Sequence, residues 1–253
     1  MVTRNHHTIT ERITERILAF GATGTGKTYA WLKLAERFPE ATFHVLDTDA
    51  SIPRMLTGAF RSLPNIVITA GVDWKTCKDF AKKLKVAPGD WIVVDLIDSI
   101  WDQVQAYFVS EVFGENIDDY FMAARKLLGA NAKVLQPLDG WIDWQVINKL
   151  YSTWAHHLFY TLTSQPHNAN IFVVAKSTKL VKEDSKEVLD LFGAYGVRPE
   201  GEKRNAYRVH TVLLCMADRE NFYVSSVKDR ERSRWDKHKI NDFGVEYGAV
   251  AGW

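Results

Sequence analysis

Apolar residues recur along the chain in two rhythms. Short, largely apolar runs at residues 14–20, 42–47, 65–68, 91–95 and 171–175 read as strands buried on both faces. Between the first two, the stretch 27–38 puts Trp31, Leu32, Leu34 and Ala35 on one helical face, and Pro39 follows as a stop. Residues 74–85 and 143–163 read as further helices, the second long and rich in aromatics. Pro88-Gly89-Asp90 supplies the turn that opens the 91–95 strand. Strands alternating with helices predict an α/β fold whose mostly parallel central sheet is flanked by helices. The rhythm breaks at the end. Residues 208–216 and 221–227 are strand-like runs separated by Ala217-Asp218-Arg219-Glu220, which predicts a C-terminal antiparallel hairpin.

With 253 residues and no repeat, low-complexity tract or linker, the chain reads as one domain over 1–253. Residues 1–12 read as a flexible tail, 100–144 as a helical insertion and 236–253 as a C-terminal tail. The insertion is acidic and aromatic (Trp101, Tyr107, Phe113, Tyr120, Trp141 and Trp144 among others), a composition that suits core helices or a subunit contact. A net charge of +1 carries no global nucleic-acid signature. Charge is nevertheless uneven, acidic over 90–148 and basic over 176–240. Cys77 and Cys215 match no metal or redox spacing and read as reduced core residues. With no apolar run of membrane length and no leader pattern, the expected setting is the cytoplasm (the host's, for a phage-encoded chain), with no membrane partner.

The most specific stretch is Gly21-Ala22-Thr23-Gly24-Thr25-Gly26-Lys27-Thr28, set between the first strand and the first helix. Polyphosphate needs several N–H donors converging on a small volume. Glycines let the backbone wrap closely, and a helix N-terminus adds its positive dipole end. In this pattern Lys27 reaches the β- and γ-phosphates and the Thr28 hydroxyl ligates Mg²⁺. The implied ligands are ATP and Mg²⁺.

The metal also needs a carboxylate from a neighbouring strand end, and Asp95, closing Trp91–Val94, is the candidate. Hydrolysis further requires a group that orients the attacking water. Leu96 rather than Glu follows Asp95, so the candidate moves to Asp49 in Leu46-Asp47-Thr48-Asp49, with Asp98 as the alternative. A loop rich in turn formers is the competing explanation for Asp47 and Asp49.

In order and spacing these segments resemble the RecA-like core ATPases, particularly the short single-domain phage versions linked to single-strand annealing and recombination. GATGTGKT looks like their P-loop, LDTD their catalytic-carboxylate segment, WIVVDLIDS their Walker B strand, FVVAKS their sensor strand, and VSSVKDR a trans-acting Lys-x-Arg strand. The resemblance spans roughly residues 14–230. It implies catalytic roles for Lys27, Asp49, Lys228 and Arg230, with the last two reaching a neighbouring subunit's ATP. It also implies Asp95 and Thr28 at the metal, Lys176 with Ser177 at the sensor, and self-association into a ring or filament. Asp stands at 49 where the family has Glu, and Lys at 176 where it has a polar sensor.

The stretch 176–207 is basic and loop-rich, with Tyr195 and Tyr207 interleaved. In the RecA-like arrangement it faces the axis where single-stranded DNA binds, which nominates Lys179, Lys182, Arg198, Lys203 and Arg204 for phosphate contacts. Glu183, Asp184, Glu187, Asp190, Glu200 and Glu202 dilute that charge, as on a solvated loop. Three other readings compete: a DNA-translocating or packaging motor, a small-molecule or nucleotide kinase with this segment as lid, and a weakly hydrolysing regulator.

Overall fold

The computed structural model describes residues 14–128, 142–218, 221–230 and 238–239. β1 (Arg16–Gly21) runs directly into the glycine-rich loop, from which α1 (Lys27–Arg37) departs. There follow β2 (Phe43–Asp47), α2 (Ile52–Leu56), β3 (Ile66–Ala70), α3 (Trp74–Lys83), β4 (Trp91–Asp95) and α4 (Ile97–Phe113). Next come α5 (Ile117–Leu128), α6 (Ile142–His156) with a π-helical turn at His157–Thr161, and β5 (Asn170–Lys179). The chain continues through α7 (Lys186–Phe192), β6 (Val197–Pro199), α8 (Asn205–Arg208), β7 (Thr211–Ala217), β8 (Phe222–Asp229) and β9 (His238–Lys239).

The main sheet has the order β3-β2-β4-β5-β1-β7-β8-β9. Pairing is parallel from β3 across to β7, and antiparallel from β7 through β8 to β9. The central parallel strands β1, β4 and β5 are buried on both faces, as the continuous runs require. By contrast β3, at the sheet edge, has no buried residue and leaves Val67 half exposed. In β1, Leu18 and Phe20 enter the core shared with α3, α4 and α6, whereas Ile17 and Ala19 enter the core under α1 and α2. Burying a Leu or Phe side chain of this kind stabilises by about 1.5–3 kcal/mol. The β7–β8 hairpin closes the sheet as expected.

Two boundaries differ from expectation. β5 continues four residues past Ala175, and Ser177–Lys179 leave the main sheet to pair with β6. The expected insertion starts inside α4, whose Ile100, Val104, Phe108 and Val109 are core residues. Residues 129–141 of that stretch lie outside the described residues, as do the tail at 1–12 and most of 236–253.

Parallel strands place their carboxyl ends together. Gly21 pairs with Lys176, and Asp47 with Asp95, along one edge of the sheet. That edge carries the site.

Candidate functional site

The loop leaving β1 is tightly confined. A Cβ on Gly21 would lie 2.3 Å from the Cys215 carbonyl oxygen in β7, so a side chain there would force two strands apart. Gly26 caps α1 with φ 82°, the left-handed region that only glycine enters at low cost. Thr25 Oγ1 donates to the Ala22 carbonyl at 2.8 Å. The buried Lys27 ammonium donates to the carbonyls of Gly21 (3.0 Å) and Ala22 (2.7 Å), and burial lowers its pKa. The first-turn amides of α1 have no intrahelical acceptor and open toward this loop.

Asp95 is almost wholly buried, at 1% exposure. Its Oδ2 accepts from Thr28 Oγ1 at 2.8 Å and Trp31 Nε1 at 3.0 Å, while buried Oδ1 has no hydrogen-bond partner among the described residues. Burial pushes its pKa up to about 6. The two donors pull the other way, and nearby Asp49 and Asp47 add to the rise. A buried carboxylate oxygen with spare acceptor capacity beside a threonine hydroxyl fits a hard cation.

Asp47 stands opposite Asp95 in the pairing of β2 and β4. It is 4% exposed; Oδ2 accepts from the Ile52 amide at 3.4 Å, and Oδ1 is again buried without a partner among the described residues. Burial, followed by its side-chain hydrogen bond with Asp49, raises its pKa. Asp49 is exposed, its Oδ1 accepting from the Ser51 amide at 3.1 Å. The inner carboxylate of the two therefore favours its neutral form more than an ordinary Asp does.

Two contributors have no signal in the sequence pattern. Thr48 clasps the end of β4: its amide donates to Asp95 O, its Oγ1 accepts from the Leu96 amide (both 2.7 Å), and that hydroxyl donates to Leu96 O at 3.0 Å. Trp31 reads in the sequence only as an apolar helix position, yet its indole N–H is what holds Asp95. Asp98 is committed elsewhere: Oδ1 accepts the Lys176 amide at 3.0 Å, and Oδ2 lies 3.6 Å from Lys176 Nζ. Lys176 itself stands beside Gly21, with Ser177 one residue beyond.

Lys228 and Arg230 lie at the opposite end of the sheet. Ile17 pairs with Thr211, and Thr211 with Asp229, so this end of β8 sits about 13 Å below Gly21 at ~3.3 Å per residue. Neither cation serves the chain's own loop. Lys228 Nζ donates to the carbonyls of Ala206 (2.8 Å) and Val209 (2.7 Å), and burial drives its pKa down to about 8. Arg230 is exposed.

The basic segment divides in the same way. Arg198 Nε donates to Asp184 Oδ2 at 3.1 Å, Lys203 Nζ lies 2.6 Å from Asp184 Oδ1, and Arg204 Nε donates to Glu202 Oε1 at 2.6 Å. These three cations face internal carboxylates, whereas Lys179 and Lys182 are exposed. The stretch is also less loop-like than expected, since it contains α7, β6 and α8.

Strand, glycine-rich loop, helix and a carboxylate-ended neighbouring strand together define a P-loop nucleotide-binding fold. Residues 14–124 match a family model described as an AAA domain, a match that ends within α5. No curated protein matches the chain. Among solved structures, the crystal structure of the RadB recombinase is similar at 14% identity with a TM-score of 0.48, over 90% of this chain and 87% of that one. An ATPase from the type III secretion system of pathogenic bacteria is similar at 11% identity with a TM-score of 0.35, over 81% of this chain. The present chain spans about half of that protein, 52% of its length. No described helix is long and apolar enough to cross a membrane.

Proposed function

We propose that the chain is a Mg²⁺-dependent, RecA-like ATPase of the cytoplasm that assembles into a ring or filament and acts on single-stranded DNA in phage-type recombination or replication. The observation that carries this reading is the meeting of Thr28 with Asp95, whose second oxygen is buried and unpartnered among the described residues, at the mouth of the Gly21–Thr28 loop.

Residues 21–28 would hold the ATP phosphates, and Lys27 would exchange its two carbonyl acceptors for phosphate oxygens. Thr28 and Asp95 would hold Mg²⁺, which supplies neutralisation of phosphate charge when bound. Asp49, on the solvent side of its pair, would orient and deprotonate the attacking water, with Asp47 sharing the proton. Lys176 and Ser177 would sense the γ-phosphate end, and Asp98 would hold Lys176 in place. Arg230 would complete a neighbour's site, and Lys228 would anchor the strand that carries it. Lys179 and Lys182, on or just beyond the extension of the strand that holds Lys176, would track DNA phosphates, with Arg198, Lys203 and Arg204 shaping that extension.

The test is ATP hydrolysis measured alone, with single-stranded DNA and with duplex DNA, alongside light-scattering mass. The reading requires stimulation by single strands together with assembly. Stimulation by duplex alone, or phosphate transferred to a small molecule, would replace it.

A further inference from the structure

Between α3 and α6, on the sheet face opposite α1, lies a cavity of about 400 Å³. That is within the range of a specific small binding site. Its floor is apolar and aromatic: Trp74 and Trp154 are both nearly buried, their ring centroids 6.0 Å apart and their planes inclined at 58°. Its rim is cationic, with Lys78 and Lys82 one helical turn apart on α3 and Lys149 on α6. None of the residues lining it is acidic.

We propose that this cavity binds an acidic peptide segment of a partner protein. One large apolar side chain would seat against Trp74 and Trp154, with flanking carboxylates on Lys78, Lys82 and Lys149. Charge complementarity selects the polyanion and the floor selects the anchor. A nucleic acid is the obvious rival polyanion, and the floor disfavours it. A base would bring several in-plane donors and acceptors that need partners, and the lining offers few. The Trp154 indole N–H is already given to the Cys77 carbonyl at 3.0 Å, which leaves the Trp74 indole N–H, Thr153 and His157. Inclined rings also offer no parallel platform for stacking. An apolar side chain has no such requirement. The proposal is independent of the ATPase reading.

The probe is a short fluorescent peptide of Asp and Glu with one central Phe, titrated by anisotropy against the full-length protein. Saturable binding is expected, weakened about tenfold or more when the peptide's Phe is replaced by Ser. The same loss is expected from the paired protein substitution Lys82→Glu with Lys149→Glu, and from Thr153→Trp, which fills the mouth. All three positions are exposed, so the variants retain the fold, and circular dichroism verifies it. Three results would overturn the proposal: equal affinity across these variants, competition by oligothymidylate, or a loss of binding that arises only because the protein self-associates through this face.

Discussion

Thr28 Oγ1 donates to Asp95 Oδ2 at 2.8 Å, fastening the start of α1 to the end of β4. The bond brings the two candidate metal-holding side chains together through long-range folding, since they stand 67 residues apart. It also leaves Asp95 carrying a buried charge whenever the protein is above the acid range.

That charge has a sign that can be tested. Burial raises the Asp95 pKa to about 6, so the folded state keeps a proton that the unfolded chain has already released. The contribution to stability is therefore adverse, and it grows as pH rises from the ordinary Asp range to about 6 and is complete above that. Asp95→Asn preserves an acceptor for Thr28 and Trp31 while removing the charge. Without nucleotide, the variant should be more stable than the parent at pH 8, by roughly 3 kcal/mol, and no more stable at about pH 3, below the ordinary Asp range. Thermal melts at both values check this. ATP affinity of the same variant should lose its dependence on Mg²⁺.

The carboxylate pair gives a second prediction. Asp49→Asn should lower the rate of hydrolysis by about 10²-fold or more while leaving ATP affinity within about twofold, as expected for loss of a general base. Asp47→Asn keeps the hydrogen-bonding shape of the pair but removes its shared proton, and should shift the pH profile of hydrolysis rather than abolish the activity. Steady-state rates across pH, with equilibrium binding of ATP, separate the two. If Asp47→Asn is inactive and Asp49→Asn is not, the inner carboxylate is the base.

A third prediction concerns Arg230. Because it lies about 13 Å down the sheet from Gly21, the role proposed for it at the phosphates requires a neighbouring subunit. Arg230→Ala and Lys27→Ala proteins should each be inactive alone. Mixing them should restore part of the activity, because some interfaces then pair an intact loop with an intact arginine. Absence of any recovery would remove the trans role. Lys228→Ala should instead lower stability, since its ammonium satisfies two backbone carbonyls.

How much of the fold and site is legible in the sequence depends on range. β1, β4 and the core of β5 can be read because strands buried on both faces must be continuously apolar, and Asp95 can be read because it ends such a run. The glycine spacing announces the loop because only glycine tolerates the Gly21 approach and the Gly26 dihedral. Polar partnerships are not legible. The Arg198–Asp184 pair and the Thr48–Leu96 clasp join residues well separated in the chain, and no periodicity encodes which charge meets which. For the same reason Lys179 and Arg198 look equivalent as cations, although one is exposed and the other is spent on a buried carboxylate.

That last contrast yields a prediction with two opposite signatures. Asp184 is buried, and although burial alone would raise its pKa, Lys203, the Val181 amide and Arg198 hold it down at about 2. A depressed carboxylate pKa contributes stability that is present above the ordinary Asp range and disappears as pH falls toward 2. Arg198→Ala removes one of the three groups that hold this carboxylate, leaving Lys203 and the Val181 amide. It should cost about 1–2 kcal/mol of stability at neutral pH, with the deficit shrinking in acid. Paired substitution of Lys179 and Lys182 by Ala should leave the melting temperature nearly unchanged, since both side chains are exposed. It should weaken binding to single-stranded DNA and flatten the salt dependence, with the slope of log affinity against log salt falling by about 0.7 for each phosphate no longer neutralised. Melting curves and DNA titrations at several salt concentrations, run on both variants, distinguish the structural cations from the phosphate-tracking ones. Unchanged DNA affinity in the Lys179/Lys182 variant would move the nucleic-acid surface off the β5 extension.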